Sequence, residues 1–182
     1  AFIAYRLCAQ IHGVKTFESA LTSDYRFQLS AMLDLVRRNK SVKIVFIANP
    51  NNPTGTYVTQ SELSEFMSEL QRLRGEDVLV VLDYAYWEYV TAKDLPDPLK
   101  VLHRYPNTVI LRTFSKIYGL AGLRLGYSVA TPEVSAHLDK VRQPFNFSSV
   151  ALSAGEAALT DKVFVKKAVD INEKGKKFWM SY

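Results

Sequence analysis

Three short runs of this sequence are apolar at nearly every position: residues 42–48 (VKIVFIA), 78–82 (VLVVL) and 108–111 (TVIL). A strand with one wet face alternates apolar and polar residues, so unbroken runs suit strands covered on both faces, as in a parallel sheet. The stretches between them have helical periodicity instead. Leu29, Met32, Leu33 and Val36 follow the i, i+3, i+4, i+7 pattern, and Leu63, Phe66, Met67 and Leu70 repeat it. Thr59 with Glu62 three residues on reads as a capping box, and Pro132 followed by Glu133 opens a further helix. Residues 1–10 read as the first turns of a helix. From residue 162 a long basic helix runs onward, with Gly175 as its one weak point. Strands alternating with helices predict an α/β domain, a mostly parallel sheet flanked by helices in an α/β/α sandwich.

Composition narrows the function classes. Hydrophobic residues make up 48% and charged residues 23%, ordinary globular usage, which excludes wholesale disorder. No apolar run reaches the length of a membrane span. The single cysteine, Cys8, excludes an internal disulfide framework, fits a reducing cytoplasmic compartment and reads as a buried small hydrophobe. The separated histidines His12, His103 and His137 give no metal-ligand cluster and read as surface residues. The net charge of +5 is spread along the chain, as on a solvated surface, so no nucleic-acid partner is expected.

In open α/β sheets, ligands bind in the crevice at the carboxyl ends of the strands, so the loops after each run come first. They are Asn49-Pro-Asn-Asn-Pro-Thr-Gly55, then Asp83-Tyr-Ala-Tyr86, then Arg112-Thr-Phe-Ser-Lys116 with Arg124 eight residues beyond the lysine. All three are polar in a chain whose strands are not. Together they offer a carboxylate, a lysine, arginines, hydroxyls and an amide at one edge of the sheet. Asp83 follows five apolar residues, where a carboxylate is costly to bury without a partner; a structural salt bridge is its plain reading. Lys116 follows a buried strand among hydroxyls, where desolvation favours the neutral amine that an imine needs. An arginine grips phosphate oxygens bidentately and short hydroxyls fill the remaining acceptors, which makes Arg124, Ser115 and Thr113 phosphate candidates.

These motifs, in this order, resemble the aspartate aminotransferase superfamily, fold-type I enzymes that use pyridoxal 5′-phosphate. Thr-Phe-Ser-Lys-x-Tyr-Gly-Leu-Ala-Gly-Leu-Arg-Leu-Gly-Tyr and Val141-Arg-Gln-Pro-Phe-Asn146 are similar to the histidinol-phosphate aminotransferase branch. The resemblance implies that Lys116 is the Schiff-base lysine and later the base that moves the α-proton. It implies that Asp83 holds the pyridine nitrogen protonated, and that Asn52 and Tyr86 donate to the phenolate oxygen. Tyr84 departs from the family, which usually has Glu there. Phe2 lines up with the aromatic that stacks on the cofactor ring in an aromatic-x-x-Tyr pattern, whereas periodicity makes Phe2 and Tyr5 core residues of a helix. Asn146 is a branch marker of open role.

The resemblance further implies that residues 1–160 form the cofactor-binding large domain. Residues 161–182 would form a long helix leading toward a C-terminal small domain that supplies the specificity arginines. The sequence is therefore expected to be the middle of a longer homodimeric protein, and the piece alone is not expected to turn over substrate. The implied reaction is amino transfer between histidinol phosphate, or an aromatic or related amino acid, and 2-oxoglutarate in histidine biosynthesis. Two other readings stay open at this point. One is another enzyme of the same scaffold, such as an aromatic aminotransferase or a threonine-phosphate decarboxylase. The other is a non-catalytic, cofactor-sensing regulator domain.

Overall fold

A computed structural model describes residues 2–182. Seven helices and four strands follow one another as α1 (Ile3–Ile11), α2 (Leu29–Arg38), β1 (Ile44–Ala48), α3 (Gln60–Arg74), β2 (Leu79–Asp83), α4 (Pro98–Arg104), β3 (Thr108–Thr113), β4 (Gly126–Val129), α5 (Pro132–Val141), α6 (Ser149–Thr160) and α7 (Lys162–Met180). The sheet runs in the order β1-β2-β3-β4. The first three strands are parallel and β4 returns antiparallel against β3. The three apolar runs are thus the three parallel strands, as their composition predicts. Ala1, the first residue of the expected N-terminal helix, lies outside the described residues.

Local chemistry sets the helix starts. The Thr59 hydroxyl accepts the Glu62 amide while the Glu62 carboxylate accepts the Thr59 amide at 2.7 Å, the full capping box of α3. Asp97 and Thr131 cap α4 and α5, each with Pro next in the first turn, where a missing N–H costs nothing. Helix α7 passes through Gly175 without a break.

Alternation along the strands divides the sheet into two unlike faces. Val45 and Ile47, Val80 and Leu82, and Ile110 point to one side, where Val36 of α2, Leu63, Phe66, Met67 and Leu70 of α3, and Val101 of α4 close over them. That side is the core. On the other side Ile44, Phe46, Leu79, Val81, Val109 and Leu111 line a cavity of about 1420 Å³, and Ile44 stays 48% exposed. Cover on both faces, the sequence expectation, is therefore complete on one face only. Helices α2 to α4 all lie on the core side, and α5 and α6 only border the other through such residues as Leu138 and Leu152.

One further expectation is corrected. Cys8 is exposed rather than buried, because α1 lies at the surface and buries none of its residues. The antiparallel strand β4 and the helices α4 and α6 carry no strong periodicity of their own. Tertiary contact makes β4 a strand: a Cβ at Gly126 would come within 2.8 Å of the Arg112 carbonyl, so only glycine lets the two backbones pair there.

Arg26 reaches across from the segment before α2 and donates to both oxygens of Glu62 at 2.7 and 2.9 Å. Burial alone would raise the Glu62 carboxyl, but the bonds from Thr59 and Arg26 outweigh it and hold it below the usual range. A carboxyl lowered on folding stabilises the fold above its unfolded value of about 4.3 and loses that contribution as pH falls through the lower folded value. Glu62→Gln is expected to cost about 1 kcal/mol at pH 7, a small value because the pair is partly solvated. The gap to the unaltered chain should close below about pH 4 in urea unfolding curves taken across pH.

Candidate functional site

The parallel register brings the loops of the sequence motifs to one edge. Ala48 pairs with Asp83, and Asp83 with Leu111, so β1 and β2 end at one level and β3 runs two residues further, to Thr113. Phe2, Asn52, Asp83, Tyr86, Thr113, Ser115, Lys116 and Arg124 all line the same large cavity, and Asn146 lines it too. Tyr84, one residue past Asp83, points the other way into the core. It is fully buried, its hydroxyl lies 3.5 Å from the Pro96 carbonyl, and burial pushes its phenol well above the usual range.

Asp83 sits at the last position of β2, half-buried. Its Oδ1 accepts the Ala85 amide at 3.0 Å and its Oδ2 accepts the Tyr5 hydroxyl. Among the described residues it makes no ion pair, so the structural salt bridge read from the sequence is not there. The carboxylate is thus oriented by neutral donors.

Asn52 Nδ2 donates to the Tyr86 hydroxyl at 3.2 Å, which sets an amide and a phenol side by side at the cavity wall. The loop that carries Asn52 is fastened by Asn49. This fully buried side chain accepts the Val58 amide at 2.8 Å and donates to the Val58 carbonyl at 2.9 Å, mimicking a strand pair. Lys116 lies beyond β3, with its ammonium 5.1 Å from the centre of the Tyr86 ring. The desolvation expected of it is not seen: the residue is exposed, because the loop lifts it off the strand end and over the cavity. The Ser115 amide donates to Thr113 Oγ1 at 3.1 Å, and Arg124 NH1 reaches the Ala121 carbonyl at 2.9 Å and Ser115 Oγ at 3.4 Å. Arg124 has φ 52°, a left-handed conformation that a non-glycine residue adopts at a cost, and one that recurs at functional sites. Its guanidinium and two hydroxyls form an exposed cationic corner suited to an anion.

Phe2 is 47% exposed at the cavity mouth, edge-on to Tyr5 at 6.0 Å, so it is not a core residue. Tyr5 lies flat on Phe46 of β1, with ring centres 4.6 Å apart and planes 17° apart. All three histidines are exposed. Two features were missed in the sequence. The first is the bond from Tyr5 to Asp83, which joins residues 78 positions apart. The second is an ion pair between Arg112 of β3 and Glu88, with side chains only 12% and 10% exposed, over which Trp87 stacks at 4.8 Å from the guanidinium carbon. An arginine three residues before Ser115 and a Trp-Glu after Tyr86 were the available signals. The pair ties the Asp83–Tyr86 loop to the strand that delivers Lys116.

The family model for aminotransferases of class I and II matches residues 1–178. The chain is 48% identical over 168 residues to the histidinol-phosphate aminotransferase of Anaeromyxobacter sp. (strain Fw109-5), covering 92% of this chain and 44% of that protein. It is 42% identical over 181 residues to the histidinol-phosphate aminotransferase of Bacillus velezensis, covering 100% of this chain and 49% of that one. Among solved structures, the histidinol-phosphate aminotransferase from Sinorhizobium meliloti in complex with pyridoxal 5′-phosphate superposes with a TM-score of 0.82 at 34% identity, over 92% of this chain and 44% of that chain. The chain thus spans about half the length of the relatives it matches.

Removing one partner of a buried ion pair strands the other charge, whereas replacing both with apolar groups does not. Arg112→Met alone is expected to lower stability by about 3 kcal/mol. Arg112→Met combined with Glu88→Met should cost clearly less, and chemical denaturation of the four chains of this cycle measures the difference.

Proposed function

We propose, for a chain that belongs to the class I and II aminotransferase family, that it forms the cofactor-holding part of a pyridoxal 5′-phosphate-dependent aminotransferase acting on histidinol phosphate and 2-oxoglutarate. The names of the relatives at 48% and 42% identity support the substrate class. The observation that carries the chemistry is the Asp83 carboxylate, oriented only by neutral donors among the described residues and lining the same cavity as Lys116. A charge left free in that way fits a cationic ring nitrogen. The Asn52–Tyr86 pair fits an oxygen anion on the ring, and Arg124 with Ser115 and Thr113 fits a phosphate. Bound there, the cofactor supplies an aldehyde that condenses with amines and a ring that takes up the electrons released at the substrate's α-carbon.

The chain's own residues divide the remaining work. Asp83 would hold a proton on the ring nitrogen. Asn52 Nδ2 and the Tyr86 hydroxyl, 3.2 Å apart, would donate to the oxygen anion on the ring. Lys116 Nζ is the nucleophilic amine, and once free it is the base that moves the proton at the α-carbon. Phe2 lines the same cleft, and Arg124 would hold the anionic end. In this reading residues 1–160 are the cofactor-binding large domain and residues 161–182 lead toward a smaller domain. A second subunit completes the site in a cytoplasmic homodimer.

Borohydride reduction of the intact protein with pyridoxal 5′-phosphate should leave the pyridoxyl group on Lys116, located by peptide mass spectrometry, and Lys116→Ala should abolish the labelling. A label on another lysine refutes the assignment. Asp83→Asn is expected to retain the cofactor while transamination falls by about 10²- to 10³-fold, the loss typical when one charge-stabilising group is removed. Assays with histidinol phosphate as donor measure it, and near-normal turnover would count decisively against the reading.

A further inference from the structure

Helix α1 buries none of its residues, yet it holds one side chain fast against the sheet. Tyr5 lies flat on Phe46 of β1, and its hydroxyl donates to Asp83 Oδ2 at the end of β2. The other carboxylate oxygen is taken by the Ala85 amide at 3.0 Å. With one donor on each oxygen, the carboxylate has no freedom to turn about its Cβ–Cγ bond. We propose that Tyr5 is a positioning residue of the active site, whose hydroxyl aims the Asp83 carboxylate at the ring nitrogen of the cofactor while leaving its negative charge intact.

The inference rests on the cofactor reading above and goes one layer behind it. The choice of donor matters chemically. A lysine or arginine at this position would orient the carboxylate equally well, but it would cancel the charge that keeps the ring nitrogen protonated. A phenol orients without cancelling. Burial, followed by the bond to Asp83 and its negative charge, pushes the Tyr5 phenol far above its ordinary range, so it stays a donor throughout the working pH range. The flat stack on Phe46 restricts the ring, so the hydroxyl reaches the carboxylate from a fixed direction.

The test uses the intact protein loaded with pyridoxal 5′-phosphate carrying nitrogen-15 in its ring, whose chemical shift reads protonation of that nitrogen directly. Tyr5→Phe keeps the ring on Phe46 and removes only the hydroxyl. Its nitrogen signal is expected to move toward the neutral position. Its kcat should fall roughly 10- to 100-fold, the value of one hydrogen bond to a charged group, with KM for the amino donor little changed. In an Asp83→Asn background the same substitution should leave the nitrogen signal where Asp83→Asn alone puts it, because its effect passes through the carboxylate.

A Tyr5→Phe protein with wild-type nitrogen shift and kcat would overturn the proposal. So would a shift that adds independently to that of Asp83→Asn, or loss of the far-ultraviolet circular dichroism of the fold, which would make the hydroxyl a structural tie. Borohydride labelling separates the two levels. If the unaltered protein takes no label at Lys116, the cofactor reading falls and this inference with it. If label forms in both proteins and the nitrogen signals coincide, only the role of Tyr5 is wrong.

Discussion

Parallel pairing of β1, β2 and β3 in a register that sets Ala48, Asp83 and Leu111 level is the constraint on which the rest of the structure depends. Ala48, Asp83 and Leu111 lie side by side, so three loops far apart in sequence emerge at one edge. A slip of one residue in β2 would turn Asp83 toward the core and Tyr84 into the cavity, since successive side chains of a strand face opposite ways. The register is held from the core side. Val80 and Leu82 are fully buried against α3 and α4, and only the observed pairing puts them there together with Ile47 and Ile110. The position of the carboxylate is thus a by-product of hydrophobic packing on the opposite face.

The loops themselves are held by polar contacts that suit an interior. Asn49 satisfies both backbone groups of Val58 without access to water, and its own amide donates to the Asp83 carbonyl at 2.8 Å. The first loop is therefore fastened to the end of β2 as well as to itself. The Arg112–Glu88 pair does the same for the second and third loops, with Trp87 shielding the guanidinium. A buried ion pair is weak evidence for stability but good evidence for fixed geometry, because neither charge can move without stranding the other. In contrast, the groups that would handle a ligand, Lys116 and Arg124, are exposed and long.

Electrostatically the cleft is arranged by what is withheld. Asp83 receives two neutral hydrogen bonds and no cation among the described residues, while Arg124 spends its donors on a carbonyl and a hydroxyl rather than on a carboxylate. Had the two been paired with opposite charges, each would be stable and inert. Both line one cavity, and neither has an opposite-charge partner among the described residues.

Much of this was legible in the residues themselves. The unbroken apolar runs at 42–48, 78–82 and 108–111 determined three parallel strands, Thr59 with Glu62 determined where a helix begins, and the polar loops after each strand determined the candidate groups. These are local properties: burial preference, capping and turn chemistry act over a few residues and leave a mark in them. Only the tertiary structure decided that β4 is a strand, since its pairing requires the close approach of the Arg112 carbonyl to a glycine. Only it decided that Cys8 is exposed, that Lys116 is not desolvated, and that one sheet face lines a cavity. It also joined Tyr5 to Asp83 across 78 residues and Arg112 to Glu88 across 24. Such contacts have no period and no motif, because what selects them is distance in space after the core has closed, and distance along the chain says nothing of that.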